Sequence, residues 1–216
     1  MLERTVGNEH MLTLRTKDSY GVLLLSTGRF EEAVPIMTET VALHKTLIGE
    51  RHVNTGRALN NLATVFFLMG EYAQAEPYYR ESLSIRTERL GDDNADTANS
   101  KNNLADLLNR LEQYDEAEQL ASEAAVSYAR VFSPSYWRAA VARNVHGASL
   151  SGLGRYEEAE TLILESNSVI AEARSGSIYH RMALRRTIDL YQAWGTPDQA
   201  QQYGQRLECI ENPTDC

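Results

Sequence analysis

The sequence predicts an all-α fold, a right-handed α-solenoid of about five antiparallel helix pairs. A short motif returns every 42 residues, and within each period apolar residues recur at steps of three and four, the spacing of one helix face. The 216 residues include only 5 prolines and 13 glycines, which suits many helices with short connections. Because one such pair cannot bury its apolar face alone, repeats of this kind stack on their neighbours.

Two independent frames carry the repeat. The first is a six-residue motif that ends in alanine and begins with glycine in four of the five repeats, and it starts at Gly28, Gly70, Glu112, Gly154 and, one residue early, Gly195. The second is an asparagine that recurs at Asn60, Asn102 and Asn144. Agreement between two frames makes coincidence a poor explanation.

Each period contains two helices. Residues 59–66 place apolar side chains on one face of a first helix, which we expect to end at Gly70. A second helix follows from Tyr72 towards Gly91. Small residues where the two helices meet predict a close approach, and they are Ala33, Ala75, Ala117, Ala159 and Ala200 on the second helices and Ala63, Ala105 and Gly147 on the first.

Helix starts carry capping signals. Asp93 and Asn94 offer side-chain oxygens to the first amide groups of one helix. Thr196, Pro197 and Gln199 predict a cap, a first-turn proline and a capping-box glutamine.

We predict one superhelical domain over residues 1–208 and a frayed tail over 209–216. The expected repeats are 10–48, 52–90, 94–131, 135–173 and 177–208. Gly7 aligns with Gly49 and His10 with His52, so the chain is expected to begin within a preceding second helix, as part of a longer protein. A short native N-terminal cap is the alternative.

The repeat resembles the tetratricopeptide repeat, in the 42-residue form of the kinesin light chain subclass. The residues that carry this resemblance are Leu59-Asn60-Asn61-Leu62-Ala63, Ala75-Glu76-Pro77-Tyr78-Tyr79, Ile85-Arg86 and Leu90-Gly91, and it covers about residues 7 to 208. A second resemblance, to the C-terminal regions of bacterial serine/threonine kinases and signalling ATPases, rests on residues 137–143 and 152–159. It suggests an alternative function, an intramolecular regulatory region for a catalytic domain upstream.

The first helices of successive repeats are expected to line a concave, amide-rich groove that binds an extended peptide or a partner protein. The predicted peptide-binding residues are Arg57, Asn60, Asn61, Thr64, Asn99, Asn102, Asn103, Asp106 and Asn144. The kinesin light chain resemblance implies that five of these residues hold cargo-peptide backbone, namely Asn60, Asn61, Asn102, Asn103 and Asn144. The alternative is that some of them bond the adjacent helix and fix the stacking.

Composition narrows the class of partner. A formal net charge of −9 disfavours nucleic acid and anionic membrane surfaces, and no stretch is long and apolar enough to cross a bilayer. We expect a cytoplasmic scaffold or sensor, with a homodimer through the end repeats as a further expectation. Tyr72, Tyr114, Trp137 and Tyr156 are expected to pack in the core and not to stack on bases.

No catalytic or cofactor-binding motif interrupts the repeat, so we predict neither an enzyme nor a cofactor. We also predict no metal site. The histidines lack ligand spacing, and His10 and His52 are expected in turns between repeats. A disulfide between Cys209 and Cys216 would close only a short loop and stabilise little.

Overall fold

The structure is a computed structural model that describes residues 2–133 and 136–212, with side chains from residue 11 onward. These residues form ten α-helices and no β-strand, which confirms the predicted all-α fold of helix pairs. The helices are α1 (Leu2–Ser26), α2 (Phe30–Leu47), α3 (Val53–Leu68), α4 (Tyr72–Leu90), α5 (Ala95–Arg110), α6 (Tyr114–Val131), α7 (Trp137–Gly152), α8 (Tyr156–Arg174), α9 (Ile178–Ala193) and α10 (Pro197–Glu211).

The chain divides into two compact units, Met1–Gly91 with α1 to α4 and Asp92–Cys216 with α5 to α10. Within each unit, every helix packs against the next one along the chain. The odd-numbered helices, called A helices below, also contact one another: α1 with α3, and α7 with both α5 and α9. The even-numbered helices are called B helices. A single domain over residues 1–208 depends on how the two units join, and it stays a prediction.

Two boundaries differ from those that the sequence predicts. The first helix runs without a break from Leu2 to Ser26, so the prediction of a turn at His10 is wrong. The last helix continues to Glu211, so residues 209–211 are helical although the sequence predicts a frayed tail there. Cys216 lies outside the described residues, and Cys209 lies in α10. From α2 to α9, the helix ends that correspond to the predicted repeat bounds lie within one residue of them, except that α7 begins at Trp137, two residues after the predicted start.

Small residues hold the two helices of each pair close together, as predicted. The repeating alanines of the B helices are 0% exposed in the first four pairs and 6% exposed at Ala200. A Cβ atom added to Gly147 in α7 would lie 2.6 Å from Cγ1 of Ile163 and 3.1 Å from the carbonyl oxygen of Ala159 in α8. A larger side chain at either position would push the helices apart.

Each turn from an A helix to a B helix requires a left-handed residue. Gly70 has φ +80°, and the amide of Glu71 donates to the carbonyl of Phe66 at 2.9 Å, which satisfies a free carbonyl at the end of α3. Glu112 takes the same place in the third pair with φ +59°, a conformation that costs a non-glycine residue about 1–2 kcal/mol. The repeat tolerates this cost because the turn geometry is set by the helices on both sides.

One of the two predicted caps is confirmed. The Asn94 side-chain oxygen accepts a hydrogen bond from the amide of Asp96 at 2.8 Å. Pro197 is the first residue of α10, as predicted, but the hydroxyl of Thr196 caps nothing and donates instead to the carbonyl of Tyr191 at 3.1 Å. The proline therefore marks the start of α10 without a capping side chain.

A buried lysine ties the start of unit 2 to its first B helix. Lys101 is 6% exposed, and its Nζ lies 2.9 Å from Asp92 and 2.8 Å from Glu123. Burial alone would raise the pKa of the Glu123 carboxyl group, but hydrogen bonds from Lys101 and Gln119 outweigh it, so that pKa lies below its usual value.

Adding one methyl group at two glycines should have opposite effects on stability. We expect Gly147→Ala to lower the free energy of unfolding by about 1–2 kcal/mol, because overpacking against Ile163 exceeds the gain in helix propensity. The matched control is Gly204→Ala inside α10, where a Cβ atom meets nothing within 4 Å and stability should rise by about 0.5–1 kcal/mol. Urea denaturation followed by circular dichroism measures both. Two changes of the same sign would contradict this account of the helix contact.

The Lys101 ion pairs should make stability depend on acidic pH. Because the folded pKa of Glu123 is depressed, its contribution is present above the ordinary value of 4.5 and is lost as the pH falls through the folded pKa. The contribution should be below about 1 kcal/mol, since Glu123 is partly exposed. The stability difference between the native chain and Lys101→Met should therefore shrink on acidification. As a control, Arg130→Gln removes an exposed ion pair with Asp93 and should change the free energy of unfolding little at neutral or acidic pH. A difference that stays constant with pH would refute this assignment.

Candidate functional site

A pocket of about 230 Å³ opens on the surface that the A helices of unit 2 form. We call this surface the α5–α7–α9 face. The polar residues that line the pocket are Asp106, Asn109, Arg110, Ser151, Arg186 and Asp189. Tyr114, at the start of α6, closes one side, and its ring packs so tightly on Gly152 that a Cβ atom there would overlap it. The pocket therefore combines a fixed aromatic wall with several hydrogen-bonding groups.

The floor of the pocket is a buried polar network. Arg186 in α9 is 6% exposed, and its guanidinium donates to Asp106 of α5 at 2.7 Å and to the amide oxygen of Asn144 in α7 at 3.0 Å. Asn144 in turn donates to Asn167 of α8 at 3.0 Å, and Asn167 donates to Thr187 at 2.8 Å. This chain of bonds connects four helices and fixes the positions of the A helices that line the pocket.

Two asparagine oxygens on α5 have no hydrogen-bond partner among the described residues. They are Oδ1 of Asn102 and Oδ1 of Asn109, and both atoms are shielded from water. The amide nitrogen of Asn109 donates to the carbonyl of Val145 at 3.2 Å, which holds this side chain in place. An unsatisfied buried acceptor costs about 1–3 kcal/mol. Such acceptors are few in native proteins, and a bound donor is one way to satisfy them.

Charges of both signs stand at the pocket opening. Asp189 is partly exposed, but the surrounding protein desolvates its carboxyl group and so raises its pKa. The positive charges of Arg110 and Arg186 lower this pKa, but by less than desolvation raises it. Arg186 is neutralised by Asp106, whereas Arg110 forms no ion pair with a carboxylate of the described residues. The pocket thus places the Asp189 carboxyl group and the Arg110 guanidinium beside a floor whose buried charges neutralise each other.

The predicted site residues of unit 1 lie on or near the surface of α3. Arg57 is exposed and lies 3.2 Å from Asp18, while Asn61 is half-buried. Asn60 is only 6% exposed and is engaged by other residues. The hydroxyl of Thr64 donates to the carbonyl of Asn60 at 2.8 Å and accepts from Tyr79 at 3.0 Å, so it is already used within the fold.

In unit 2 two of the predicted site residues meet in the buried network, and two others are half-buried elsewhere on α5. Asp106 and Asn144 meet through Arg186, and Asn144 is 0% exposed with both ends of its amide bonded. Asn144 therefore has the structural role that the sequence left open as the alternative. Asn99 and Asn103 are half-buried, and each already interacts with a neighbour. Peptide binding by the predicted residues stays a prediction.

Sequence reasoning did not identify Asp189 and Ser151 as pocket residues. Neither belongs to the asparagine frame, and only the packing of α7 between α5 and α9 places them together. A usable signal did exist for Arg186, because it stands 42 positions after Asn144, where the repeat predicts asparagine. A longer side chain at that position can reach one helix further than an asparagine can.

The described histidines and acidic residues do not form a metal site. The imidazole of His44 lies 3.0 Å from Asp18, and that of His146 lies 3.0 Å from Glu118, so each histidine meets one carboxylate. Among the side chains of residues 11–133 and 136–212, no group of three or more His, Cys, Asp or Glu could hold a metal ion. Within the described helices, no segment has both the length and the hydropathy that a membrane span requires.

The predicted core role of the aromatic residues is supported at two positions. Trp137 packs against a buried cluster of α7, α8 and α9, and Tyr156 packs against another and stacks on Trp194 at 5.8 Å.

Removing the buried arginine should be costly unless its partner is removed as well. We expect Arg186→Met to lower the free energy of unfolding by about 3–5 kcal/mol, because it leaves Asp106 charged and unpaired at 11% side-chain exposure. The double variant Arg186→Met with Asp106→Leu should recover most of that loss. Urea denaturation of the two single variants and the double variant gives the coupling energy. Additive effects of the two changes would show that the pair does not interact as described.

The helix arrangement is shared with known proteins. A family model described as Tetratricopeptide repeat matches residues 12–88 and 54–128, together more than half of the chain. A search of curated proteins found no match.

Three similar solved structures show the same fold. A candidate kinesin light chain of Podosopora anserina with nearly identical TPR-like repeats is 19% identical, with a TM-score of 0.69, over 94% of this chain and 96% of that one. BtubC (BKLC) of P. vanneervenii is 18% identical, with a TM-score of 0.71, over 98% and 86%. A Rap protein in complex with competence and sporulation factor is 18% identical, with a TM-score of 0.72, over 88% of this chain and 51% of that one. The chain therefore belongs to the tetratricopeptide repeat family and is a protein–protein interaction module whose helix pairs resemble those of kinesin light chain-like proteins.

Proposed function

We propose that the α5–α7–α9 face binds an extended segment of a partner polypeptide, with the pocket as its anchor. The observation that carries this proposal is the convergence of unused hydrogen-bonding groups at the pocket. The shielded oxygen of Asn109, the carboxyl group of Asp189 and the guanidinium of Arg110 all lie there. Within a folded helix the backbone groups are paired except at the two ends, whereas an extended peptide presents an N–H and a C=O at every residue.

Acceptors on one helix face suit such a ligand. Asn102 and Asn109 are seven residues apart, which is two turns of α5, so their oxygens lie about 10 Å apart along the helix axis. Main-chain amides of an extended segment recur about every 3.3 Å, so one segment of a few residues spans this distance. The buried network beneath fixes the helices, which limits the conformational cost of binding.

The corresponding surface of α3 in unit 1 is the second proposed contact region. Arg57 is exposed there, and Asn61 borders a small cavity with Asp18. The similar Rap protein was solved in complex with competence and sporulation factor, which is consistent with ligand binding on this fold, although the likeness to it shows the fold alone.

The proposal extends to the kind of protein, its partner and its location. We propose a scaffold or sensor without catalytic activity, a partner that is a protein and not a nucleic acid, and a cytoplasmic location. A homodimer through the end repeats is testable by sedimentation at several concentrations. No observation favours the alternative of an intramolecular regulator for a kinase or signalling ATPase.

Peptide selection on the whole chain tests the proposed site. Linear peptides selected from a random displayed library should bind the native protein. Arg110→Gln and Asp189→Asn should each weaken that binding about tenfold, because each removes a charged contact in the pocket. Asn109→Ala tests the uncharged acceptor in the same way. Fluorescence polarisation measures the dissociation constants.

The matched control is Arg130→Gln, an exposed arginine near the end of α6 and away from the pocket. It should leave peptide affinity unchanged. If no linear peptide is selected, or if selected peptides bind Arg110→Gln and Asp189→Asn as tightly as the native chain, the proposed site is wrong.

A further inference from the structure

A second surface lies at the opposite end of α7 from the pocket. Four aromatic rings follow one another there. The centroid of Phe132 is 4.2 Å from that of Tyr136, Tyr136 is 6.0 Å from Trp137, and Trp137 is 5.0 Å from Tyr179. We call Phe132, Tyr136, Trp137, Ile178 and Tyr179 the aromatic surface. Trp137 begins α7 and Gly152 ends it, so this surface and the pocket are about 22 Å apart along the helix.

The aromatic surface exposes apolar groups to solvent. Phe132 is 52% exposed, Ile178 is 43% exposed and Tyr179 is 37% exposed. Trp137 is half-buried and packs on one side against the core cluster of α7, α8 and α9. Adjacent exposed rings and aliphatic groups with a buried anchor are typical of protein interaction sites.

Two arginines are held on the tryptophan ring. The guanidinium carbon of Arg138 lies 4.7 Å from the Trp137 ring centroid, and that of Arg174, the last residue of α8, lies 4.4 Å from it. Stacking on an aromatic ring restrains the guanidinium plane but leaves N–H groups at its edge free for a ligand. Because Arg138 and Arg174 are already restrained, less side-chain entropy is lost when an anion binds.

Neither guanidinium is neutralised within the part of the chain that the structure describes. No carboxylate of those residues lies within ion-pair distance of Arg138 or Arg174, although the hydroxyl of Tyr128 interacts with Arg138. The chain has 30 acidic and 21 basic residues, and other arginines such as Arg130 and Arg155 pair with a nearby carboxylate. Arg138 and Arg174 therefore place two restrained guanidinium groups, without a carboxylate partner among the described side chains, at one point of an acidic protein.

We infer that the aromatic surface is a second docking site, which binds an acidic segment of a partner protein. Carboxylates of that segment contact the guanidinium groups of Arg138 and Arg174, and an apolar side chain of the same segment packs on the exposed rings. A short acidic peptide matches two cations and an apolar patch. A long polyanion such as nucleic acid would also meet the net charge of −9 of the whole chain. This inference goes beyond the proposed function, because it uses other residues at the other end of α7.

The test uses the full chain and a labelled peptide of repeating Glu-Glu-Leu-Ser units, with a Gln-Gln-Leu-Ser twin that lacks the charge. The glutamate peptide should bind at least about tenfold more tightly than its twin. Arg174→Gln should remove most of this difference in affinity between the two peptides. The double variant Arg138→Gln with Arg174→Gln should do the same. Arg174→Lys keeps the charge but loses the planar fork, so it should also weaken binding severalfold. Thermal denaturation shows whether each variant is folded, and Arg174→Gln, at an exposed helix end, tests the inference even if the double variant unfolds.

Arg155→Gln is the matched control, because it removes an exposed arginine at the far end of α8 and should leave the affinity unchanged. The inference is overturned if the glutamate peptide does not bind, or if Arg155→Gln weakens binding as much as Arg174→Gln does. Full affinity in Arg174→Lys would overturn it too, since charge alone would then account for the binding. A single-stranded oligothymidylate that binds more tightly than the peptide and depends on the same arginines would make the partner a nucleic acid and refute the inference.

Discussion

The close approach of the two helices in each pair is the constraint on which the rest of this structure depends. Alanines without solvent exposure recur on the B helices, and at Gly147 even a methyl group would collide with Ile163. When two helix axes come this close, side chains beside the contact have no path to solvent. Polar residues at those positions must find partners inside the protein, because an unpaired buried polar group is costly.

Arg186 shows how one departure from the repeat meets this requirement. The repeat predicts an asparagine there, and asparagine at the equivalent position in α7 bonds to the neighbouring helices. The arginine is longer and charged, so it reaches past Asn144 to Asp106 in α5 and is neutralised there. A buried charge pair of this kind adds less to stability than an apolar core would, but it defines which helices are neighbours and in what register. The walls of the pocket owe their positions to this network.

A stack of helix pairs also explains how one protein could carry the two separate binding surfaces proposed for this chain. Each A helix has an end near the preceding turn and an end near the following turn, and residues at the two ends do not compete for space. In α7 these ends contribute to the pocket and to the aromatic surface. A partner that occupied both surfaces would gain from the high effective concentration of its second segment once the first is bound.

The sequence by itself determined the secondary structure of this protein, its repeat length and its family. The 42-residue period, the glycine turns and the small contact residues are local properties, and each follows from backbone conformation or side-chain volume at a fixed position. The repeat bounds that they predicted lie within two residues of the corresponding helix ends from α2 to α9. The exception is the first helix, where the alignment of Gly7 with Gly49 predicts a turn but the helix continues. A glycine within a helix costs only about 1 kcal/mol, so Gly7 alone does not end it.

Only the tertiary structure decided which polar residues are already bonded within the fold. Asn102 and Asn144 stand at the same repeat position, yet one has an oxygen without a partner and the other is bonded at both ends of its amide. The stacking of Arg138 and Arg174 on one indole ring joins the first turn of α7 to the last turn of α8. Such differences depend on which side chains of neighbouring helices reach a given atom, and a periodic pattern along one chain does not contain that information.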